Sequence, residues 1–346
     1  MNYRYILLFF LISYNSFSQN KNNYQIRTIA FYNVENLFDT LNDSLKRDDD
    51  RTPNGKDQWT KKRYLKKIEN TSKVITEIGA KITNTSPDII GLCEIENLQV
   101  IEDLISHPNL ITKNYGIIHF NSPDERGIDV ALLYKKNIFL PDAFVSHRLL
   151  LETKEGYRDY TRDQLVVSGF LDNDKIHFIV NHWPSRSGGE VRSKPNRLAA
   201  AKLNKRIIDS ISRTEVLPKI ISMGDLNDDP TDDSLKKILR TAGKKNKLED
   251  GDLYNPMEKL YKKGVGSLAY KDKWFLFDQF FMTKPLTEPI NKQYTFWKTG
   301  VYNPTYLITP NGRYQGYPLR TYAGGSYTGG YSDHFPVYIY LIRKIE

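Results

Sequence analysis

The sequence predicts an α/β fold in which a two-sheet core is flanked by helices. Three observations carry this expectation. Short apolar runs of strand length recur from end to end of the 346 residues, only two stretches show helical periodicity, and no internal repeat or long Pro/Ser linker divides the chain. With 39% hydrophobic and 26% charged residues the chain has the balance of a globular protein with a sizeable core, read here as a single domain over residues 19–346.

The strand candidates, in order, are QIRTIAFYN, DIIGLCEI, YGIIHF, GIDVALLYK, LVVSGFL, KIHFIVNH, KIISMGD, LFDQFFM and FPVYIYL, all rich in Ile, Val, Phe and Tyr. Tyr64, Ile68, Thr71, Ile75 and Ile78 repeat at helical spacing, with Lys61, Lys62, Arg63, Lys66 and Lys67 on the other face. A second helix is expected from about Asn196 to Ile211, with Leu198, Ala201, Ile207 and Ile208 inward. Many strands with few helices between them fit two sheets under helical cover. The polar loop 42–57 and the Gly- and Tyr-rich loop 311–330 are long enough to frame a site, and Tyr322, Tyr327 and Tyr331 are candidates for a base-stacking or lipid-facing surface.

The opening MNYRYILLFFLISYNSFS carries Arg4, an apolar stretch from Ile6 to Ile12, and small polar residues before residue 19. That grammar predicts a cleavable secretory signal over residues 1–18 and a secreted or periplasmic mature chain. The apolar stretch is too short to span a bilayer, so no stable membrane insertion is expected. Cys93 is the only cysteine, which excludes an intramolecular disulfide. The formal net charge of +9 favours anionic partners such as nucleic acid, phosphorylated metabolites or membrane surfaces. Nothing implies a protein partner, and a monomer is expected.

Several strands end or begin on a functional side chain. FYN delivers Asn33 with Glu35 just beyond, GLCE delivers Glu94, FIVNH delivers Asn181 and His182, and GDLND delivers Asp225 and Asn227; LFDQFFM and SDHFPV carry Asp278, Asp333 and His334 at their starts. Singly, each is more simply a turn former or cap. Together they make a set suited to a phosphate ester. Glu94 is a hard oxygen ligand for Mg²⁺ or Mn²⁺, and no Cys or His cluster has zinc spacing. His182 and His334 can donate to phosphate oxygens, with Asp278 and Asp333 orienting the rings.

In this order the motifs FYNVENLF, GLCEIEN, RGIDVALLY, NHWPSR, GDLND, FDQFFM and SDHFPV resemble those of the endonuclease/exonuclease/phosphatase superfamily, and they run from Asn33 to Val337. The resemblance implies a four-layer αββα sandwich of two mostly antiparallel or mixed sheets. It implies Glu94 as the principal Mg²⁺ ligand, with Asn33 beside it and Asp333 a further candidate. Asp225 and Asn227 would align the attacking water, His334 would be the essential histidine paired with or adjacent to Asp333, and Asp278 would lie near that pair or the metal. Some members have His and others Tyr where His182 stands. Arg126 and Arg197 are chosen as phosphate-binding guanidiniums. The expected function is a secreted Mg²⁺-dependent phosphodiesterase, an endonuclease acting on DNA or RNA. The alternatives are a phosphatase, a sphingomyelinase-like phospholipid phosphodiesterase, or a binding protein that keeps the fold without catalysis.

Overall fold

Strand residues here are apolar on both sides because each sheet is buried on both faces. The computed structural model describes residues 23–289 and 292–345; the expected signal segment lies outside the described residues. In the strand Asn23–Leu37, Ile29 and Phe31 point into the core between the sheets, whereas Ala30 and Tyr32 point outward under helices. Ile89–Ile95 repeats this alternation: Ile89 and Cys93 face inward, and Ile90 and Leu92 outward.

Six strands form the first sheet, in the order Thr295–Val301, Val337–Ile345, Asn23–Leu37, Ile89–Ile95, Asp129–Lys135 and Tyr115–His119. Seven form the second, whose centre is Asp278–Thr283, Ile220–Asp225, Asp174–His182 and Gln164–Leu171. Both are mixed: Asn23–Leu37 runs parallel to Ile89–Ile95, and Ile220–Asp225 parallel to Asp174–His182, while their other neighbours are antiparallel. Phe178, Val180, Met223 and Phe280 of the second sheet meet Ile29, Phe31 and Leu132 of the first in the central core.

Helices Lys61–Glu77 and Leu98–Ser106 cover the outer face of the first sheet, and Glu190–Thr214 that of the second. This is the expected αββα sandwich. Leu98–Ser106 was not foreseen, because only Val100, Ile101 and Leu104 form its buried stripe; Asn97 caps it by accepting from the Val100 amide at 3.1 Å. The third helix starts at Glu190 and carries exposed Pro195 near its start, ahead of the expected Asn196. Ala201, Ile207 and Ile208 are buried as expected; Leu198 is half-buried.

Lys61, Lys62 and Lys66 form the expected exposed basic face, but Lys67 does not belong to it. It is buried, and its ammonium donates to Thr321 Oγ1 at 2.7 Å and to the Tyr331 carbonyl at 2.5 Å, with Glu35 3.9 Å away. Burial pushes it down to about 8 against the pull of Glu35 and Asp333. Asn70, one turn on, donates to the carbonyls of Gly329 and Gly330. Helix Lys61–Glu77 therefore clamps the Gly- and Tyr-rich loop. The loop tyrosines serve the same docking: Tyr322 packs near Trp59 and Tyr327, its hydroxyl donating to the Asp57 carbonyl, while Tyr331 packs on Tyr306. Arg63 lies over the Tyr327 ring at 4.5 Å. These rings are packing elements, which corrects their assignment as a base- or lipid-facing surface.

Replacing Lys67 by Met leaves Glu35 under-compensated and two loop acceptors unpaired. We expect a loss of about 3 kcal/mol or more in denaturant unfolding, with lost amide-exchange protection around residues 321 and 329–331. Lys66→Met, on the exposed face, should change stability by less than about 0.5 kcal/mol.

Candidate active site

Strand register assembles the site. Asp225 is registered with His182 on its parallel neighbour and with Asp278 on its antiparallel neighbour, so three adjacent strands of the second sheet set these side chains in a row. The first sheet contributes from the opposite side. Pairing between Asn23–Leu37 and Ile89–Ile95 breaks after Asn33 and Cys93, and Glu35, Asn36 and Glu94 take left-handed conformations there, with Glu94 at φ 63°. Non-glycine residues seldom adopt that region. The bulge turns Glu94 toward the second sheet.

Asn33 Nδ2 donates to Asp225 Oδ2 at 3.1 Å, joining the two sheets through the site. Asp225 Oδ1 accepts the Asn227 amide at 3.0 Å, and Asn227 Nδ2 donates to the Trp183 carbonyl at 3.0 Å. His182 Nε2 lies 3.8 Å from Glu94 Oε1 and 3.7 Å from Asp225 Oδ2. His334 Nδ1 is 2.6 Å from Asp278 Oδ2, and its Nε2 is 3.9 Å from Asp225 Oδ2. Ser267 donates to the same Asp278 oxygen, and Ser332 fixes the His334 backbone by accepting its amide while donating to the Asn33 carbonyl.

The two histidines differ electrostatically. Burial would strip the proton from His334, but the Asp278 and Asp225 carboxylates outweigh it and hold the imidazolium well above the usual histidine range. Burial, and after it the positive charges of Arg162, Arg126 and His334, push His182 well below that range. One imidazole is a cation and the other neutral. Burial raises Asp225 above the ordinary carboxylate range; Asp278 and Glu94 add to this, while His334 and the Asn227 amide oppose it.

The predicted residues Asn33, Glu94, His182, Asp225, Asn227, Asp278 and His334 converge here. Asp333 does not pair with His334. Its carboxylate accepts from Arg320 at 3.0 Å on the rim, and the orienting partner of His334 is Asp278. Arg197 is not a phosphate ligand: it is buried, its Nε 2.5 Å from Asp228 Oδ1, with further bonds to Ser193 and the Ser185 carbonyl. It holds the GDLNDD turn in place, as does Arg186 through the Asn227 carbonyl and Asp232. Arg126 is half-exposed at the rim and close enough to act on His182. Asn181 belongs to a buried network with Ser222, Asn204 and Trp183.

Arg320, Arg162 and Ser267 escaped the sequence reading, which placed Lys67 on a solvated helix face. Arg320 bridges Glu35 and Asp333 from a loop without periodicity; Arg162 joins Asp124 to the Trp183 carbonyl beside His182. The only available signal was their position just before or within segments flanking the motifs.

The donors fit a hard divalent cation. Asp225 and Asp278 are buried, Glu94 is partly so, and Asp278 Oδ1 has no hydrogen-bond partner among the described residues. Asp225, Asp278 and His334 bring ligand atoms within 4.8 Å of one another. Glu94 lies beside this set, its Oε1 3.8 Å from His182 Nε2, and Asn33 turns its Nδ2 to Asp225 while its Oδ1 accepts the Glu35 amide.

A sequence profile of the Endonuclease/Exonuclease/phosphatase family matches residues 28–343. No curated protein matches the chain. Among solved structures, an endonuclease/exonuclease/phosphatase family protein from Bacteroides thetaiotaomicron superposes with TM-score 0.55 at 19% identity, covering 93% of this chain and 97% of the other. A mannosyl-6-phosphatase of the same organism gives 0.54 at 17% identity, covering 91% and 99%. D. rerio TDP2, complexed with single-strand DNA product, gives 0.53 at 15% identity, covering 91% and 98%. At these identities the likeness is one of fold.

Two outcomes follow from the His334–Asp278 pair. His334→Ala and Asp278→Ala should each lower turnover about 10²- to 10⁴-fold, and the double variant should lose little more than the worse single one. Asp333→Ala should add to either nearly independently. In chelator-treated protein the raised His334 pKa contributes stability that is complete below about pH 6.5 and is lost as pH rises through the folded value. Asp278→Asn should lower that pKa in an NMR titration of the imidazole shifts and flatten the pH dependence of unfolding.

Proposed function

The chain belongs to the endonuclease/exonuclease/phosphatase family, a family of phosphoester hydrolases, and from that premise we propose that it is a secreted, Mg²⁺-dependent phosphodiesterase acting on nucleic acid. The observation that carries the reading is geometric: His182 lies 3.7 Å from Asp225 and 3.8 Å from Glu94, and His334, bonded to Asp278, lies 3.9 Å from Asp225.

The charged His334, locked by Asp278, donates to a non-bridging phosphate oxygen and stabilises the negative charge that grows as phosphorus becomes five-coordinate. His182 offers a neutral N–H to a second oxygen. Asp225, more basic than an ordinary carboxylate, accepts the proton of the attacking water, with Asn227 fixing its turn. Glu94 and Asn33 would hold a Mg²⁺ or Mn²⁺ ion, which when bound supplies electrophilic neutralisation of phosphate charge. Arg126, 3.9 Å from Asp124, and Arg320, paired with Glu35 and Asp333, are half-exposed guanidiniums near the site that could meet phosphates flanking the cleaved one. The basic balance, +9 for the whole chain and +8 without Arg4, supports a polyanionic substrate.

Chelation should abolish turnover and Mg²⁺ or Mn²⁺ restore it, with Glu94→Gln needing much more metal for the same rate. Cleavage of DNA or RNA should weaken steeply between about 50 and 200 mM salt through counterion release. Full activity in excess chelator would remove the metal mechanism. Turnover of a sugar phosphate or of sphingomyelin vesicles, with no cleavage of DNA or RNA at any salt concentration, would remove the nuclease reading and leave the hydrolase.

A further inference from the structure

The loop 311–330 and the hairpin of strands Leu268–Tyr270 and Lys273–Phe275 enclose a cleft of about 270 Å³ whose wall includes Asp333 and Arg320. Tyr270, Tyr314 and Tyr317 give it an aromatic side, and Lys271, Arg313 and Arg320 line it as cations, Arg313 lying 3.7 Å from Asp272 and Arg320 paired with Glu35 and Asp333. Tyr270 is 62% exposed and Tyr314 42%, so, unlike Tyr322 and Tyr327, these rings leave much of their surface free. The hairpin turn, with Lys271 at φ 48° and Asp272 at φ 62°, has the both-positive geometry of a tight two-residue turn and holds Lys271 at its tip. Lys271 lies 5.4 Å from the Tyr270 ring centre and has no carboxylate partner among the described residues.

Both walls are tied to the catalytic groups. Ser267, at the root of the hairpin, donates to Asp278 Oδ2 at 2.5 Å, and its carbonyl accepts the Phe335 amide at 2.7 Å. On the other wall Arg320 is fixed by Glu35 and Asp333, both at 3.0 Å. Tyr317 links the walls: its hydroxyl donates to Asp272 Oδ1 and accepts the Asp272 amide, each at 2.7 Å. A group seated between them is held at a fixed offset from His334, which is what converts binding into orientation of the scissile bond.

We propose that this cleft is a nucleoside subsite, in which Tyr314 and Tyr270 stack a base of the strand being cut while Arg320, Lys271 and Arg313 hold its neighbouring phosphates. The proposal rests on the nuclease reading and deepens it. Free aromatic faces beside cations match a flat base carrying phosphate on each side. An acyl chain would need a continuous apolar wall, which the three cations interrupt.

The test uses the metal-loaded full chain, a short single-stranded oligonucleotide, and versions with one abasic residue at each position in turn. Wild type should cleave the intact strand more efficiently than one abasic version by about five-fold to 100-fold in kcat/KM, with the gap mainly in KM. Tyr314→Ala should bring that ratio near one, Tyr314→Phe should restore it, and Lys271→Ala should lower the salt dependence of KM. If the ratio and the salt slope stay at wild-type values in Tyr314→Ala and Lys271→Ala while wild type cleaves DNA or RNA, the subsite is wrong and the nuclease reading stands. If wild type cleaves no oligonucleotide but hydrolyses a sugar phosphate or phospholipid vesicles, both fall.

Discussion

Asp225 is a buried carboxylate, 2% exposed, where the two sheets meet, and much of the surrounding structure answers the constraint of keeping its charge there. A buried carboxylate without partners would take up a proton and lose its function. Here the Asn33 amide and the Asn227 backbone N–H donate to its two oxygens, and the His334 imidazolium lies 3.9 Å away. Each of these is held in turn: Asn33 by the first sheet, Asn227 by Trp183, and His334 by Asp278, Ser332 and the start of the last strand. Partners from two sheets are needed because one strand end cannot present donors from enough directions. The sandwich supplies them by stacking the two sheets with their functional edges together.

Glu35 is a second buried carboxylate and organises the rim as Asp225 organises the centre. It accepts from Arg320 and from the Thr321 amide and lies 3.9 Å from Lys67. Burial and Asp333 raise it, while Lys67 and Arg320 pull it back. Through it the loop 311–330 is fixed at both levels: its backbone by Thr321, and its one cation bordering the site by Arg320. A loop free to wander would carry Arg320 away from Glu35 and Asp333.

How much of this was legible follows from where the physical signal lies. Strand ends that bear Asn33, Glu94, His182, Asp225, Asp278 and His334 are local in sequence, since an apolar run stops at a polar residue. The order of those runs fixed the fold class. Partner choice is not local. Adjacent Asp333 and His334 looked like a pair, yet they lie in a bend ahead of the strand Val337–Ile345 whose backbone Ser332 fixes, and there His334 bonds Asp278 while Asp333 pairs with Arg320 at the rim. Lys67 looked exposed because lysine usually is, and nothing within the helix signals a buried acceptor 254 residues away. Arg197 was indistinguishable from a phosphate ligand because guanidinium serves buried carboxylates and substrate anions with the same fork.

Some of the chain's backbone strain falls at the same edge. Glu35, Asn36, Glu94 and Asn227 all sit at positive φ, between 50° and 63°. For asparagine this costs little; for Glu35 and Glu94 it is a cost of order 1 kcal/mol or more each. Relaxing either to an ordinary extended conformation would restore regular pairing between the two parallel strands. It would also swing both carboxylates out of line, Glu94 from His182 and Glu35 from Arg320. The strain is thus tied to the geometry the chemistry needs, and the rigid apolar sandwich beneath, sealed by Ile29, Phe31, Met223 and Phe280, is what holds it in place.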